Sequence, residues 1–197
     1  MSLKVGVLGS TRGTALQGVL DAIAEGSLDA EVVMVVSDKQ SAPILERATR
    51  HQVAALFLDP AGLTRDAYDR QVSQVLEGVG AEVVLLIGYM RIVSASFVHA
   101  WRGRLLNVHP SLLPDFAGLM NRKVHEAVLA AGVLETGCTI HQVTEDVDGG
   151  PIVLQKRCAV LPGDTVDRLK DRVQALEQEA FVEVLKSWRD VQQNSRA

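Results

Sequence analysis

Apolar residues along the chain gather in short runs at 5–8, 32–36 and 83–87, dominated by Val, Leu and Ile. Runs of this length without polar alternation mark strands buried on both faces, as in a parallel sheet covered by helices. Between them, apolar positions recur at helical spacing over 14–25, 41–51 and 65–79. Thr64, followed by Arg65-Asp66-Ala67, offers an N-cap oxygen and an early acid to the third of these helices. The first half therefore reads β-α-β-α-β-α-β, an order that calls for right-handed crossovers and a parallel sheet.

The second half is less regular. A short helix over 94–101 leads to a strand at Leu105–His109, and a loop rich in Pro and Gly follows at 109–118. A helix is expected at 124–131, then β-type runs at 138–143 and 152–160 on either side of Asp146-Val147-Asp148-Gly149-Gly150-Pro151. That turn-rich spacer predicts a hairpin or an antiparallel extension of the sheet. A long amphipathic helix begins after Gly163-Asp164-Thr165 and runs to about Trp188, and the polar tail 192–197 is expected to fray. The fold class is thus α/β: a single Rossmann-like domain, parallel in its N-terminal half, with a mixed or antiparallel C-terminal extension and a long C-terminal helix.

Composition narrows the classes. The chain has 197 residues, 47% hydrophobic and 22% charged, ordinary for a globular domain with a real core. Aromatic residues make up only 4%, so that core must be aliphatic. With 24 acidic and 20 basic residues the net charge is −4, which lacks the footprint of a nucleic-acid binder. Two cysteines, Cys138 and Cys158, form no framework or metal-like spacing, so a reducing, cytoplasmic setting is expected. No apolar run approaches the ~18–20 residues of a membrane span.

Three places carry candidate chemistry. The turn Gly9-Ser10-Thr11-Arg12-Gly13-Thr14 joins the first strand to the first helix, where backbone N–H groups and the helix dipole favour an anion. It is neither a Walker loop nor the three-glycine dinucleotide fingerprint, and a tight turn that binds nothing would use the same residues. Asn107-Val108-His109 ends an apolar strand with two polar side chains on one side. Hydrogen bonds to nearby backbone would explain them as well as catalysis does. His51, His99, His125 and His141 have no comparable neighbour and read as structural. Asp148 precedes two glycines that let backbone fold closely around a ligand, although acids in such loops are commonly turn formers.

Together these strings resemble a known family. Asn107-Val108-His109-Pro110-Ser111-Leu112-Leu113-Pro114, preceded by Gly88-Tyr89-Met90-Arg91-Ile92-Val93 and followed by Glu145-Asp146-Val147-Asp148-Gly149-Gly150-Pro151, is similar to the 10-formyltetrahydrofolate-dependent formyltransferases, in particular those acting on phosphoribosylglycinamide in purine synthesis. The resemblance runs from about Lys4 to Trp188. It implies transfer of the formyl group of 10-formyltetrahydrofolate, as co-substrate and without a metal, to the amine of glycinamide ribonucleotide. Asn107, His109 and Asp148 fall on the catalytic positions: the first two as oxyanion donors, Asp148 fixing a water and moving the proton. A carboxylate beside His109 is expected to raise its pKa and favour the imidazolium.

By the same resemblance the ribonucleotide phosphate falls on Thr11, Arg12, Gly13 and Thr14, with further substrate contacts at Pro110, Gln174 and Glu177. The folate falls on Met90, Arg91, Ile92 and Val93, on Val143 and on Asp148, and Arg91 is expected to meet its glutamate carboxylates. Residues 1–100 would then serve nucleotide and phosphate, 101–190 folate and catalysis, within one domain spanning 1–197. The expected partners are these small molecules, in a monomer or homodimer, with no nucleic acid and no membrane.

The chain departs from the family in two places. Thr11-Arg12-Gly13-Thr14-Ala15 replaces the usual Gly-x-Gly-Ser-Asn, which loses an amide at Ala15 and offers Arg12 instead, and the segment 118–125 is about three residues longer than the common form. Both changes touch the acceptor side. The alternatives are therefore a formyltetrahydrofolate deformylase or a formyltransferase with another amine acceptor. A deformylase would carry an N-terminal regulatory domain that 197 residues starting at the first strand would not contain. From other classes come a non-catalytic nucleotide-binding module and a dehydrogenase in which Asp38 reads a ribose.

Overall fold

The structure, a computed structural model, describes residues 2–188. The tail at 192–197, expected to fray, lies outside the described residues. The chain runs β1 (Leu3–Leu8), α1 (Thr14–Ala24), β2 (Ala30–Ser37), α2 (Pro43–Arg50), β3 (Ala55–Phe57), α3 (Arg65–Gly78), β4 (Val83–Leu86), α4 (Ala95–Ala100), β5 (Leu105–His109), α5 (Arg122–Ala131), β6 (Glu135–Gln142), β7 (Ile152–Ala159) and α6 (Val166–Lys186). The strands form one sheet of order β3-β2-β1-β4-β5-β6-β7. The pairings from β3 to β5 are parallel, and those of β5 with β6 and of β6 with β7 are antiparallel. This is the α/β class and mixed sheet that the hydrophobic pattern predicts.

Continuous apolar runs are explained by burial on both faces of the central strands. Along β4, Val83 and Leu85 join the core under α1, α2 and α6, while Val84 and Leu86 join the core under α3 and α4. Helix α6 is amphipathic: Leu169, Val173, Ala180, Phe181, Val184 and Leu185 are buried, and it packs across α1, β6 and β7. The Thr64 side chain accepts the Ala67 N–H at 3.2 Å and caps α3 as its position predicts. Among the described residues no helix is long and apolar enough to cross a membrane.

This topology decides where a ligand can sit. After β1 the chain passes to β2 on one side, and β4 lies on the other, so the strand order reverses between β1 and β4. In open α/β sheets ligands occupy the crevice outside the carboxyl ends of the strands at such a switch point. Here that crevice opens between the turn after β1 and the segment after β4, and β5 ends beside it.

Candidate active site

A cleft of about 360 Å³ occupies the crevice. Thr11, Arg12, Gly13 and Thr14 line it from the end of β1, and Met90 from the end of β4. Asn107, His109 and Pro110 enter from β5, Asp148 from the β6–β7 connection, and Gln174 and Glu177 from α6. The structure thus brings eleven of the expected site residues to one cavity.

Four others do not line it. Arg91 lays its guanidinium over the Tyr68 ring, 4.7 Å from the centroid. Ile92 is 52% exposed, and Val93 and Val143 pack against the core of α3 and α4.

The turn after β1 is built to present backbone N–H groups. Gly13 adopts φ 61°, which glycine permits at little cost, and no side chain caps the first turn of α1. The Ser10 hydroxyl donates to Asp38 Oδ1 at 2.5 Å and accepts the Met90 N–H at 2.9 Å. One serine therefore ties the ends of β1, β2 and β4 together. The Asp38 carboxylate, which the dehydrogenase reading needs for a ribose, serves this junction instead.

Opposite the turn stand three linked side chains and a fourth that the sequence reading left as structural. His109 is 3% exposed. Its Nε2 lies 3.2 Å from the Phe116 carbonyl, which can only accept, so this nitrogen carries the proton. Its Nδ1 faces Asp148 Oδ2 at 3.3 Å, and that carboxylate also accepts the Gly118 N–H at 2.9 Å. The second carboxylate oxygen stands 3.6 Å from His141 Nε2. His141 Nδ1 lies 3.0 Å from the Gln142 carbonyl and must donate to it. His141 Nε2 is then an acceptor, and Asn107 Nδ2 donates to it at 3.0 Å. This bond fixes the orientation of the Asn107 amide.

His141 is the site residue that sequence reasoning missed. Antiparallel pairing sets it directly across from Asn107, and Thr139 across from His109. Only the register of β5 with β6 carries that signal, and no local motif supplies it. Thr139 has a supporting part: its hydroxyl donates to the Ser111 carbonyl at 2.7 Å and accepts the Leu113 N–H at 3.0 Å, which moors the loop after β5.

The loop bearing Asp148 is shaped by close approach. Asp148 itself has φ 55°, a region asparagine and aspartate enter more readily than other side chains. A Cβ on Gly150 would come within 1.8 Å of the Gln142 carbonyl oxygen, so only glycine fits there.

Electrostatics correct one expectation. Burial penalises the His109 cation more than the Asp148 carboxylate favours it, so the His109 pKa is held below its ordinary value rather than raised. Burial also pushes Asp148 upward, but the neighbouring His141 ring, the Gly118 N–H and the nearby His109 outweigh it and hold the carboxyl below the usual range. The free pair is therefore a neutral imidazole facing a carboxylate. His125, also read as structural, lines the cleft as well, and burial pushes it down to about 4.

Glu177 behaves in the opposite sense: burial raises its carboxyl to about 8, against an opposing pull from Lys170. A folded-state pKa raised above the unfolded value gives stability that is complete below the unfolded pKa and is lost as pH climbs to the folded one. Glu177 should therefore cost the free protein stability at up to about 1.4 kcal/mol per pH unit from about 4.5 to about 8. Urea titrations at pH 6 and pH 9 check this: Glu177→Gln should lose less stability between them than the unmodified chain. Equal losses would show that Glu177 is not the group responsible.

Among the described residues no cluster of three or more His, Cys, Asp or Glu could hold a metal ion. The turn after β1 and the Asn–His–Asp cluster thus line one switch-point crevice, where open α/β sheets bind their ligands. Comparison with known proteins gives the class: the formyl transferase family model matches residues 3–185. The chain belongs to the formyl transferase family, and within it to the phosphoribosylglycinamide formyltransferase group.

The particular relatives are these. A phosphoribosylglycinamide formyltransferase of Escherichia coli is 38% identical over 94% of this chain and 86% of its own length. The bovine trifunctional purine biosynthetic protein adenosine-3 is 42% identical over 92% of this chain, but the chain spans only 18% of that longer protein. Among solved structures, glycinamide ribonucleotide transformylase 1 of Symbiobacterium toebii superposes with a TM-score of 0.91 at 42% identity, covering 96% of this chain and 88% of that one.

Proposed function

We propose that the protein transfers the formyl group of 10-formyltetrahydrofolate to the amine of glycinamide ribonucleotide, a step of purine synthesis. The observation that carries this reading is the cluster Asn107, His141, Asp148 and His109, each within 3.0–3.6 Å of the next, of which Asn107, Asp148 and His109 line one cleft with the turn 11–14. The named relatives support the same acceptor. The N-terminal half supplies the phosphate turn. The C-terminal half supplies the catalytic cluster and, through Gln174 and Glu177, further acceptor contacts.

Formyl transfer to an amine places negative charge on the formyl oxygen and releases a proton from the attacking nitrogen. Folate supplies the activated formyl group; the protein has to stabilise that charge and take that proton. Asn107 spends one Nδ2 hydrogen on His141, and its second is the donor for the oxygen. The proton has a ready destination between His109 Nδ1 and Asp148 Oδ2, two acceptors 3.3 Å apart. Its uptake there makes an imidazolium–carboxylate pair beside the oxyanion, and as the oxyanion collapses and the bond from the formyl carbon to the folate nitrogen breaks, that nitrogen departs with the proton. His109 thus acts through charge, because its Nε2–H is engaged by Phe116. The pterin is proposed to rest where Met90 and the Asp148 loop border the cleft.

The test uses 10-formyl-5,8-dideazafolate with and without glycinamide ribonucleotide. Deformylation of the folate analogue should require the ribonucleotide and yield its formylated product. Turnover without it would make the protein a deformylase, and no turnover or folate binding would overturn the reading. On the acceptor side, Arg12 lines the cleft where the family's asparagine amide is missing at position 15. Arg12→Ala should raise KM for the ribonucleotide about tenfold, the loss of one charge-assisted contact. An unchanged KM would remove Arg12 from the phosphate site.

A further inference from the structure

Beneath the turn after β1 lies the first turn of α2, which does not border the cleft. Ile44, at its N-terminal end, is fully buried. A Cβ added at Gly9 or at Gly13 would come within 2.4 Å of the Ile44 side chain, so the turn rests directly on it. The Ile44 N–H donates to the Thr11 carbonyl at 3.1 Å. One helical turn further on, Arg47 Nε donates to the Arg12 carbonyl at 3.2 Å, and its Nη1 donates to Gln17 Oε1 on α1.

These bonds fix two consecutive peptide planes. The Thr11 carbonyl shares its plane with the Arg12 N–H, and the Arg12 carbonyl shares its plane with the Gly13 N–H. Both peptides are trans, so in each plane carbonyl and N–H point in opposite directions. With both carbonyls drawn down onto α2, both N–H groups must point away from α2, and Arg12 and Gly13 border the cleft. Successive N–H groups turned to one side form a concave anion site.

We infer that Arg47 is a positioning residue for the anion-binding turn: by holding the Arg12 carbonyl and Gln17, it keeps the Arg12 and Gly13 N–H groups facing the phosphate of the acceptor. This deepens the proposed function and rests on its assignment of the phosphate to residues 11–14. Arg47 itself does not line the cleft, which separates its part from that of Arg12.

The experiment compares the unmodified protein with Arg47→Met, which keeps the apolar stem, and Arg47→Lys, which keeps one donor. Binding of ribose 5-phosphate is measured by calorimetry and by the amide NMR shifts of Arg12 and Gly13, alongside steady-state kinetics. Arg47→Met should weaken ribose 5-phosphate binding and raise KM for the ribonucleotide about five- to tenfold, with kcat and the folate KM within about twofold. Arg47→Lys should recover most of the affinity. Unchanged affinity in Arg47→Met, with or without a lower Tm, would overturn the inference and leave Arg47 merely structural. If the unmodified protein shows no Arg12 or Gly13 amide response to ribose 5-phosphate, the phosphate assignment fails and takes the inference with it.

Discussion

Replacing Asp148 with asparagine should lower kcat by about 10²–10⁴-fold and leave folate affinity nearly unchanged. The substitution is nearly isosteric. An asparagine oxygen can still accept the Gly118 N–H that Asp148 Oδ2 accepts at 2.9 Å, and asparagine tolerates the φ of 55° at this position. Only the basicity is lost. His109 Nδ1 would then face a neutral amide in place of the carboxylate that lies 3.3 Å away, and the proton from the amine would have no acceptor pair. Single-turnover formyl transfer gives the rate, and fluorescence titration with a folate analogue gives the affinity. Full activity in the variant would take Asp148 out of the proton pathway.

Asn107→Ala is the second large effect, with kcat expected to fall about 10²–10³-fold, as for loss of one preorganised oxyanion donor. The change removes the free Nδ2 hydrogen and also the partner of His141 Nε2, 3.0 Å away. Because the turn after β1 and the α6 contacts are untouched, KM for the ribonucleotide should hold. Steady-state kinetics with both substrates varied separate the two constants. A raised KM with intact kcat would make Asn107 a ground-state binding residue and not a stabiliser of developing charge.

Sequence reading located these residues because their chemistry is local. Asn107 and His109 interrupt an apolar strand, and Asp148 precedes glycines that a tight loop requires. The parallel half was legible for the same reason, since strands buried on both faces lose their alternation. Ala55–Phe57 escaped the apolar runs because three residues, exposed at one end, make too short a pattern to stand out. His141 escaped because its position depends on which residue of β6 lies across from Asn107, a fact of register. The His109 shift was misjudged because a neighbouring carboxylate can be guessed from composition, whereas burial of the imidazole depends on the assembled core. The place of Arg91 over Tyr68 was hidden likewise, since it depends on how the segment after β4 packs on α3.

The order of strands also bears on how the molecule avoids its own kind. A sheet that does not close leaves two borders, and an exposed border can template pairing with another chain. On one side the border is β3, a three-residue stub with little backbone to offer. On the other it is β7, eight residues long, which follows Pro151 and carries Lys156 and Arg157 in its interior. Lys156 is also held by Glu183 of α6 at 2.8 Å. A foreign strand would have to settle against these charges, so the hairpin whose turn carries Asp148 is guarded against aggregation by the residues that end the sheet.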